Sequence, residues 1–348
     1  MKRTLIALAA ALVAAPATAD WTWDLRYRYE QVDDAALAER IDAQSVRLRL
    51  GWLWMPVERW SLYLEGEHSE VLADRLPADP PLTELNQRWL RWSGERVEAT
   101  LGRQRLQFGN QRFVGNVGWR QAEQTFDALH LRGGMGVEWR YAYVDAVQRV
   151  NGQRRDHDSH LAAATWGRVQ GYAFLFDDRT APADSSMTVG LRWSGETGPL
   201  RWTIEGARQR DSGGQPVAYR ADYFLVEPSV RFAGVRWAFG REYLGGDGVK
   251  GFATPFATLH AFNGWADRFL ATPPDGLDDR YASATGTLAR GTWTLVYHDY
   301  GAFGDEWNAS YARPIGESAR WLVKAADFSG GTLPSVRKLW LQLEWPAR

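Results

Sequence analysis

The most conspicuous candidates for chemistry lie in the segment RRDHDSHL, where His157, Ser159 and His160 occur within four positions. A Ser beside a His can act as nucleophile and general base, and two His with nearby Asp side chains can ligate a metal. His157 and Ser159 share one parity whereas His160 has the other, so an extended strand would place them on opposite faces. We interpret the segment as the polar end of a strand and predict no catalytic and no metal site.

The other histidines give no stronger signal. His68, His130, His260 and His298 are scattered without the spacing of metal ligands, and the sequence contains no glycine-rich phosphate loop. The absence of cysteine removes disulfides and thiolate metal sites. The sequence therefore predicts a protein that is not an enzyme and that needs no cofactor.

Arginine is the abundant functional group. The 41 basic residues include four lysines, at positions 2, 250, 324 and 338, which leaves 37 arginines. The planar guanidinium binds carboxylates and phosphates in a bidentate manner, which suits a path for anionic solutes. The alternative is that these arginines pair with Glu and Asp and brace the structure. The formal net charge of −1 indicates no nucleic-acid partner.

The elements that carry the arginines are predicted to be β-strands. In WTWDLRYRYEQV, residues 21–32, aromatic and aliphatic residues alternate with Asp24, Arg26, Arg28 and Glu30. A period of two is typical of a strand with one apolar and one polar face. Such a strand fits a soluble sheet, and it equally fits a membrane barrel whose apolar face contacts lipid and whose polar face lines the interior.

About eighteen such segments follow one another, many close to the 9–11 residues that cross a bilayer at a tilt. Long and short connections broadly alternate between them, as in an up-and-down barrel and unlike a sandwich. We therefore predict an all-β, transmembrane antiparallel barrel of about eighteen strands, with sixteen as the alternative. The segments are residues 21–32, 44–54, 59–69, 83–92, 96–107, 121–132, 135–147, 157–166, 168–178, 186–194, 199–210, 217–231, 235–244, 279–289, 291–301, 306–313, 319–328 and 336–345.

The N-terminal segment predicts export. Lys2 and Arg3 precede an apolar run, and Ala17-Thr18-Ala19 has the small-x-small form of a cleavage site. We interpret residues 1–19 as a signal peptide and residues 20–348 as a β-barrel in the outer membrane of a Gram-negative bacterium. The nineteen tryptophans agree with aromatic girdles at the two lipid–water boundaries.

The polar parity of each strand can then be assigned to the interior of the barrel. The register is ambiguous in segments 83–92 and 96–107. Elsewhere the rule places on the solute path the basic residues Arg26, Arg28, Arg47, Arg49, Arg140, Arg192, Arg201, Arg220 and Arg236, and the acidic residues Glu65, Glu138, Glu205 and Asp222.

Two blocks carry a family resemblance. They are TLGRQRLQFGNQRFVGNVGWRQAEQTFDALHLR, residues 100–132, and FATPFATLHAFNGWADRFLATPPDGLDDRY, residues 252–281. Both resemble the alginate-export family of outer-membrane proteins, which is named for a barrel that secretes the anionic polysaccharide alginate. The resemblance implies an eighteen-stranded barrel with an electropositive conduit. It makes Arg103, Arg105, Arg112 and Arg120 candidates for the constriction of that conduit or its mouth.

The second block also predicts a loop that narrows the barrel. In HAFNGWADRFL the aromatic residues lie close to helical spacing, and TPPDG ends the pattern. We expect an amphipathic loop that folds into the barrel or caps its rim, against which Asn116, Trp119 and Arg120 pack; contact with a neighbouring subunit is the alternative. The candidate constriction residues are His260, Phe262, Asn263, Trp265, Asp267 and Arg268.

These features together predict a porin-like channel for passive diffusion of small, preferentially anionic solutes through an Arg-rich lumen. One alternative is a dedicated exporter of an anionic polysaccharide such as alginate. Another, from a different class, is a secreted all-β carbohydrate-binding module. The expected partners are membrane lipids and lipopolysaccharide, small anionic solutes or an anionic polysaccharide, and the barrel-assembly machinery during insertion. Monomer and trimer are equally compatible with the sequence.

Overall fold

The computed structural model describes residues 18–74, 76 and 79–346, and these form one eighteen-stranded sheet. The fold prediction is confirmed with eighteen strands rather than sixteen. In chain order the strands are β1 Thr18–Asp34, β2 Ile41–Val57, β3 Trp60–Ala73, β4 Leu82–Ser93, β5 Val97–Gln104, β6 Thr125–Gly134, β7 Glu138–Gln148, β8 Arg154–Trp166, β9 Val169–Phe176, β10 Ser186–Thr197, β11 Leu200–Arg210, β12 Arg220–Phe232, β13 Val235–Gly245, β14 Gly276–Leu288, β15 Gly291–Asp299, β16 Gly304–Ile315, β17 Ala319–Gly330 and β18 Val336–Trp345.

The sheet closes into a barrel because the last strand pairs with the first. Every strand is antiparallel to both neighbours, and the β1–β18 ladder runs from Leu25 opposite Trp345 to Asp34 opposite Val336. Closure leaves no row of unpaired backbone N–H and C=O groups at a sheet edge. A lipid-facing wall requires this condition, because a bilayer offers no water to satisfy such groups.

The connections divide the barrel into two ends. The links after β2, β4 and the other even strands have two or three residues, whereas the links after odd strands have from four to thirty. We call these the short-turn end and the long-loop end, and the start of β1 and the end of β18 lie at the short-turn end. Two connections are much longer than the rest: loop A, residues 105–124 between β5 and β6, and loop B, residues 246–275 between β13 and β14.

The two faces of each strand differ as the period of two predicts. In β1, Arg26, Arg28 and Glu30 are buried inside the barrel, whereas Trp21 and Trp23 lie outside and are 74% and 49% exposed. The outer wall carries further exposed apolar side chains on many strands, among them Leu50, Leu101, Leu191, Ile204, Phe239 and Trp307. An apolar outer wall around a polar interior is the arrangement of a barrel that contacts lipid.

The described helical structure is limited to three short 3-10 turns, Pro182–Asp184, Leu259–Ala261 and Gly301–Phe303. Within the described ranges, no helix is long and apolar enough to cross a membrane. The predicted signal peptide falls almost entirely outside the described residues. Its last two positions, Thr18 and Ala19, pair with Met55 and Trp54 at the start of β1.

Candidate functional site

Most of the predicted interior residues lie on the inner wall. In the centre of the barrel Arg26, Arg28, Arg47, Arg49 and Glu65 are all less than a tenth exposed. Nearer the short-turn end Arg140, Arg192, Arg201 and Arg236 face inward on the same parity as Glu138 and Glu205, and several of them border open cavities. Three of the four family-derived arginines, Arg105, Arg112 and Arg120, project from loop A into the barrel.

The assignment of Arg220 and Asp222 to the interior is wrong. In β12 the odd positions Ala221, Tyr223 and Leu225 are buried inside, so the even positions face outward. Asp222 accepts a bidentate hydrogen bond from Arg208 on the outer face, at 2.8 and 3.3 Å. The rule that polar side chains face inward failed here because charged side chains occur on the outward face of β12 near its long-loop end.

Arg103 also lies on the outer wall rather than at the constriction. The inner positions of β5 are Glu98, Thr100 and Gln104, and Leu101 on the other parity is 61% exposed. Arg103 shares that outward parity and forms two hydrogen bonds to Asp127 of β6, each 2.9 Å long. This strand lies in segment 96–107, where the sequence does not show which parity faces inward. The family resemblance does not give that information either.

Many inner arginines are neutralised by carboxylates of the same wall. Arg26 donates to Glu344 at 2.6 Å, and Arg192 donates to Glu205 at 2.8 Å. Arg47 pairs with Asp24 and Arg49 with Glu67 in the same way. Buried charges generally require such partners. The alternative interpretation, in which the arginines pair with carboxylates and brace the structure, therefore describes the centre of the barrel. The total number of arginines by itself does not measure the positive charge that a solute would meet.

Loops A and B both fold into the barrel and contact each other at its centre. The N–H of Gly115 donates to the carbonyl of Phe256 at 2.8 Å, and the N–H of Thr258 donates to the carbonyl of Gln111 at 3.1 Å. Aromatic rings from both loops pack on the inner wall: Phe113 meets Tyr223 at 5.2 Å and Phe256 meets Phe176 at 4.9 Å between centroids. The loops thus fill much of the long-loop half of the barrel.

Glu123 is the polar anchor of loop A. It is 1% exposed and accepts hydrogen bonds from Arg105 at 2.5 Å, from Asn86 at 2.8 Å and from Asn116 at 2.6 Å, with Arg49 3.5 Å away. Burial by itself would raise the pKa of Glu123, but the charges of Arg49 and Arg105 outweigh burial and lower the pKa to about 2. Glu123 thus remains ionised and holds the loop against β2 and β4.

Acidification is expected to loosen loop A. A carboxyl whose pKa is lowered stabilises the docked loop above its ordinary pKa of 4.5, and this contribution is lost as the pH falls towards about 2. The variant Glu123→Gln should produce the same loosening at neutral pH. Hydrogen–deuterium exchange of the loop A amides, corrected for the intrinsic pH dependence of exchange, would measure both effects.

The matched control is Glu95→Gln, in the exposed turn between β4 and β5, where the carboxylate is 81% exposed and 3.5 Å from Arg59. Its loop A amides should exchange as in the unmodified protein. Equal protection of loop A in Glu123→Gln and Glu95→Gln would contradict the anchoring role of Glu123.

Loop B is held by a buried chain of hydrogen bonds. Lys324 of β17 donates to His260 Nε2 at 2.7 Å, and His260 Nδ1–H donates to Asp267 at 2.8 Å. The indole of Trp119, from loop A, stacks on the His260 ring at 4.4 Å. Burial lowers the pKa of His260 to about 3, so the ring is neutral and can accept from the lysine while it donates to the carboxylate.

Asp267 is the charged centre of this arrangement. Its carboxylate lies 3.1 Å from Arg120 of loop A and 3.2 Å from Lys338 of β18, and its side chain is 5% exposed. Burial would raise the pKa of Asp267, but His260, Lys338 and Arg120 hold it well below its ordinary range. The carboxylate therefore ties both loops to the wall.

The remaining predicted constriction residues also lie within the barrel or at its rim. Asn263 accepts from Arg112 at 2.8 Å and donates to Glu242 at 2.7 Å, and the Phe262 ring lies 4.8 Å from the Arg112 guanidinium. The N–H of Trp265 donates to Asn308, and Arg268 pairs with Asp34 at the end of β1. Loop B therefore folds into the lumen, which is one of the two arrangements expected from the sequence.

The helical spacing in loop B does not produce a helix. Only the 3-10 turn Leu259–Ala261 forms, and Asn263 and Asp267 have φ values of 53° and 61°. A left-handed backbone at two positions four residues apart interrupts a right-handed helix. Instead the loop is stabilised by side chains of the wall.

Open cavities lie on the short-turn side of the two loops. One of about 280 Å³ is lined by Trp89, Arg91, Arg105, Arg132 and Arg140, and it adjoins the foot of loop A. Others measure about 590 Å³ beside the turn 94–96, about 570 Å³ beside Arg192 and Arg236, and about 160 Å³ beside Glu138. On the long-loop side a cavity of about 230 Å³ lies between the start of loop B and Arg149.

Sequence reasoning missed two inner arginines and the loop anchor. Arg91 and Arg132 line a cavity, and both approach Glu98 across the ladder. Their strands have small or polar residues on both parities, which hides the register. Glu123 lies in QAEQ, where both parities are polar; that loss of alternation was the available signal that the segment is not a strand.

The His/Ser cluster is divided as its parity predicts. His157 lies inside, 3.3 Å from the Ser159 hydroxyl and 3.6 Å from Asp178, whereas His160 contacts Tyr141 on the outer face. The geometry resembles a nucleophile, base and acid, but Ser159 is fully buried and its hydroxyl accepts the N–H of Asp177. The His157 ring lies against Phe256 at 5.0 Å. Within the described residues, no group of His, Asp and Glu has the geometry of a metal site.

Comparison with known proteins establishes likeness at the level of fold. No protein family and no curated protein matches the sequence, so the resemblance to the alginate-export family gains no support. Among solved structures, OccK9 (OpdG) of Pseudomonas aeruginosa has a TM-score of 0.75 at 16% identity and covers 95% of this chain and 98% of its own. OpdK of the same species, crystallised with vanillate, has a TM-score of 0.72 at 13% identity, covering 94% and 98%.

A third structure, a BenF-like porin from Pseudomonas fluorescens Pf-5, has a TM-score of 0.73 at 12% identity, covering 93% of this chain and 97% of its own. At such identities these likenesses concern the barrel alone. They agree with the eighteen-strand closure, and they leave the solute to be argued from this chain's own interior.

Proposed function

We propose that this protein is an outer-membrane channel for passive diffusion of small solutes, with a preference for anions. The proposal has two parts: that the barrel spans a bilayer, and that its accessible interior is basic. The apolar outer wall and the closed ladder support the first part, as does the likeness in fold to a porin.

The observation that carries the anion preference is the charge around the cavities rather than the total charge of the wall. The four cavities on the short-turn side are bordered by eight arginines, residues 91, 96, 105, 132, 140, 192, 201 and 236, and by four glutamates, residues 98, 138, 196 and 227. Five of these arginines also pair with carboxylates, whereas Arg96, Arg140 and Arg236 belong to no ion pair among the described residues and border open space. A charged lining selects ions of opposite sign.

The structure favours this channel over the two alternatives from the sequence. A polysaccharide exporter needs a bore through which a chain of sugars can pass, whereas loops A and B interlock across the long-loop half. A secreted carbohydrate-binding sandwich would have open sheet edges and two packed sheets, whereas this sheet is closed on itself.

Single-channel recording in a planar bilayer under a salt gradient tests the proposal. We expect insertion, a small conductance because the two loops obstruct the lumen, and a reversal potential of the sign produced by anion selectivity. Replacing Arg132 and Arg140 together by Gln should lower the anion-to-cation permeability ratio by roughly a factor of two to five, since these opposed side chains border the same cavity.

The control for this experiment is Arg88→Gln, an exposed arginine on the outward parity of β4. It should leave the permeability ratio unchanged. Cation-selective current in the unmodified protein would sink the anion preference, and failure of heat-modifiable, folded protein to insert would sink the channel itself.

A further inference from the structure

A cluster of arginines lies on the outer wall at the long-loop end. Its members are exposed and occupy outward positions on four consecutive strands, β11 to β14. In β13, for example, Ala238, Glu242 and Leu244 are buried inside, so the odd positions face out. We call this set the outer arginine patch: Arg208, Arg210, Arg220, Arg241 and Arg280.

The strand register brings like charges directly opposite each other. Arg210 is paired with Arg220, and Arg241 is paired with Arg280. Because adjacent strands lie about 4.8 Å apart, the four strands span roughly 15 Å across the wall. Along the strands the patch is longer, because Arg241 lies opposite Val226, about 20 Å along β12 from Arg220. Like charges in directly opposed positions destabilise a sheet unless an anion lies between them.

Only part of this charge is neutralised by the protein. Asp278 accepts from Arg241 at 2.8 Å and from Arg280 at 3.1 Å, and Asp222 neutralises Arg208. Among the described residues, no carboxylate lies within ion-pair distance of Arg210 or Arg220. The Arg210 guanidinium donates to the Met187 sulfur, at 3.4 Å. The Arg210–Arg220 pair therefore lacks an anion.

The outer wall next to the patch is apolar on the side towards the middle of the barrel. Towards the middle of the wall, Val226, Trp237 and Phe239 are exposed, and the Arg241 guanidinium lies 5.3 Å from the Phe224 ring. At the long-loop end of β7 and β8 the outward charges are mainly negative. On β7 and β8, Asp145, Asp156 and Asp158 outnumber Arg154. The basic sector is thus local to β11–β14.

We propose that the outer arginine patch binds the phosphate groups of an anionic lipid in the leaflet around the long-loop end. The inference rests on the proposed function, because it requires that this wall contact a bilayer. Guanidinium groups bind phosphate oxygens in a bidentate manner, and the apolar side chains directly below would contact the acyl chains. The lipid phosphate supplies the anion that Arg210 and Arg220 lack.

Native mass spectrometry of the folded protein in detergent micelles, with added bisphosphorylated lipid A, tests this site. The double variant Arg210→Gln/Arg220→Gln should bind the lipid roughly tenfold to thirtyfold more weakly, since each arginine near a lipid surface contributes a similar increment. The variant Arg210→Lys/Arg220→Lys should retain most of the affinity. Arg313→Gln, an exposed outward arginine at the other end of β16, is the matched control and should bind as the unmodified protein does.

Equal affinity of the Gln double variant and the Arg313→Gln control would overturn the inference. Binding of fully dephosphorylated lipid as tight as that of lipid A would also overturn it, and so would inorganic pyrophosphate that binds the patch as tightly as the lipid, which would indicate a site for a free anion. A change from dimer or trimer to monomer in the Gln variant without loss of lipid would assign the patch to contact between copies. Because folding is checked by heat modifiability and conductance is recorded separately, loss of the lipid site is distinguishable from loss of the channel.

Discussion

Removal of residues 252–272 is expected to raise the single-channel conductance several-fold. These residues form the inward part of loop B, which contacts loop A at Gly115 and the wall at Gln209, Glu306 and Asn308. Without them the long-loop half of the barrel loses the segment that closes it. The variant is sterically feasible with a short glycine linker, because Gly251 already approaches the carbonyls of Thr272 and Pro273 closely.

The control for the loop deletion is shortening of the exposed loop between β11 and β12 by residues 212–217. This loop borders the rim and sends no side chain to the centre, so conductance should stay within experimental spread. If the deletion of residues 252–272 left the conductance unchanged, the current would have to bypass loop B, and the description of that loop as the obstruction would be wrong.

Replacement of Asp267 by Asn is expected to release loop B and to destabilise its docked state by about 3–5 kcal/mol. The substitution keeps the shape but removes the carboxylate that Arg120 and Lys338 share. Among the described residues this leaves Lys338 without an ion pair and Arg120 with only the longer contact to Asp79, at 3.7 Å. The His260 Nδ1–H, which orients the Nε2 that accepts from Lys324, also loses its carboxylate acceptor. Limited trypsin digestion at Arg268, together with gating noise in the single-channel record, would report the release.

The control for this substitution is Asp275→Asn at the end of the same loop. Asp275 is exposed and, in the described part of the chain, belongs to no ion pair. Its cleavage pattern and its current traces should match those of the unmodified protein. Indistinguishable digestion of the two variants would show that Asp267 does not hold the loop.

The strands were predictable because alternation and connection length are local properties of the sequence. Segments 217–231 and 235–244 correspond to β12 and β13, and the alternation of long and short links is even more regular in the structure than in the sequence. The strand predicted at 121–132 begins only at Thr125, and the strand at 96–107 ends at Gln104. Both errors flank loop A, whose polar ends leave the wall to pair inside the lumen.

The interior was less predictable, because parity gives a face only where the other parity is clearly apolar. Arg220 and Asp222 lie above the apolar part of the wall, where the inward side chains Ala221 and Tyr223 pack on the loops and the outward ones are charged, so the parity rule assigned the opposite face. Arg103 was proposed from the family resemblance alone, although Leu101 on the same parity lies on the lipid-facing side of β5. The bonds of Arg112 to Glu242 and Asn263 join residues 130 and 151 positions apart, and no local pattern encodes such distances.

The ladder between β1 and β18 also has a consequence for the order in which the barrel folds. Its partners are about the whole chain apart, from Arg26 opposite Glu344 to Asp34 opposite Val336. Until the last strand is in place, a partly folded barrel has two open sheet edges, which are templates for aggregation. Contacts this distant in sequence also form slowly, since a very large chain segment must be ordered first. The ten-residue seam between β1 and β18 is therefore expected to be the last part of the wall to form.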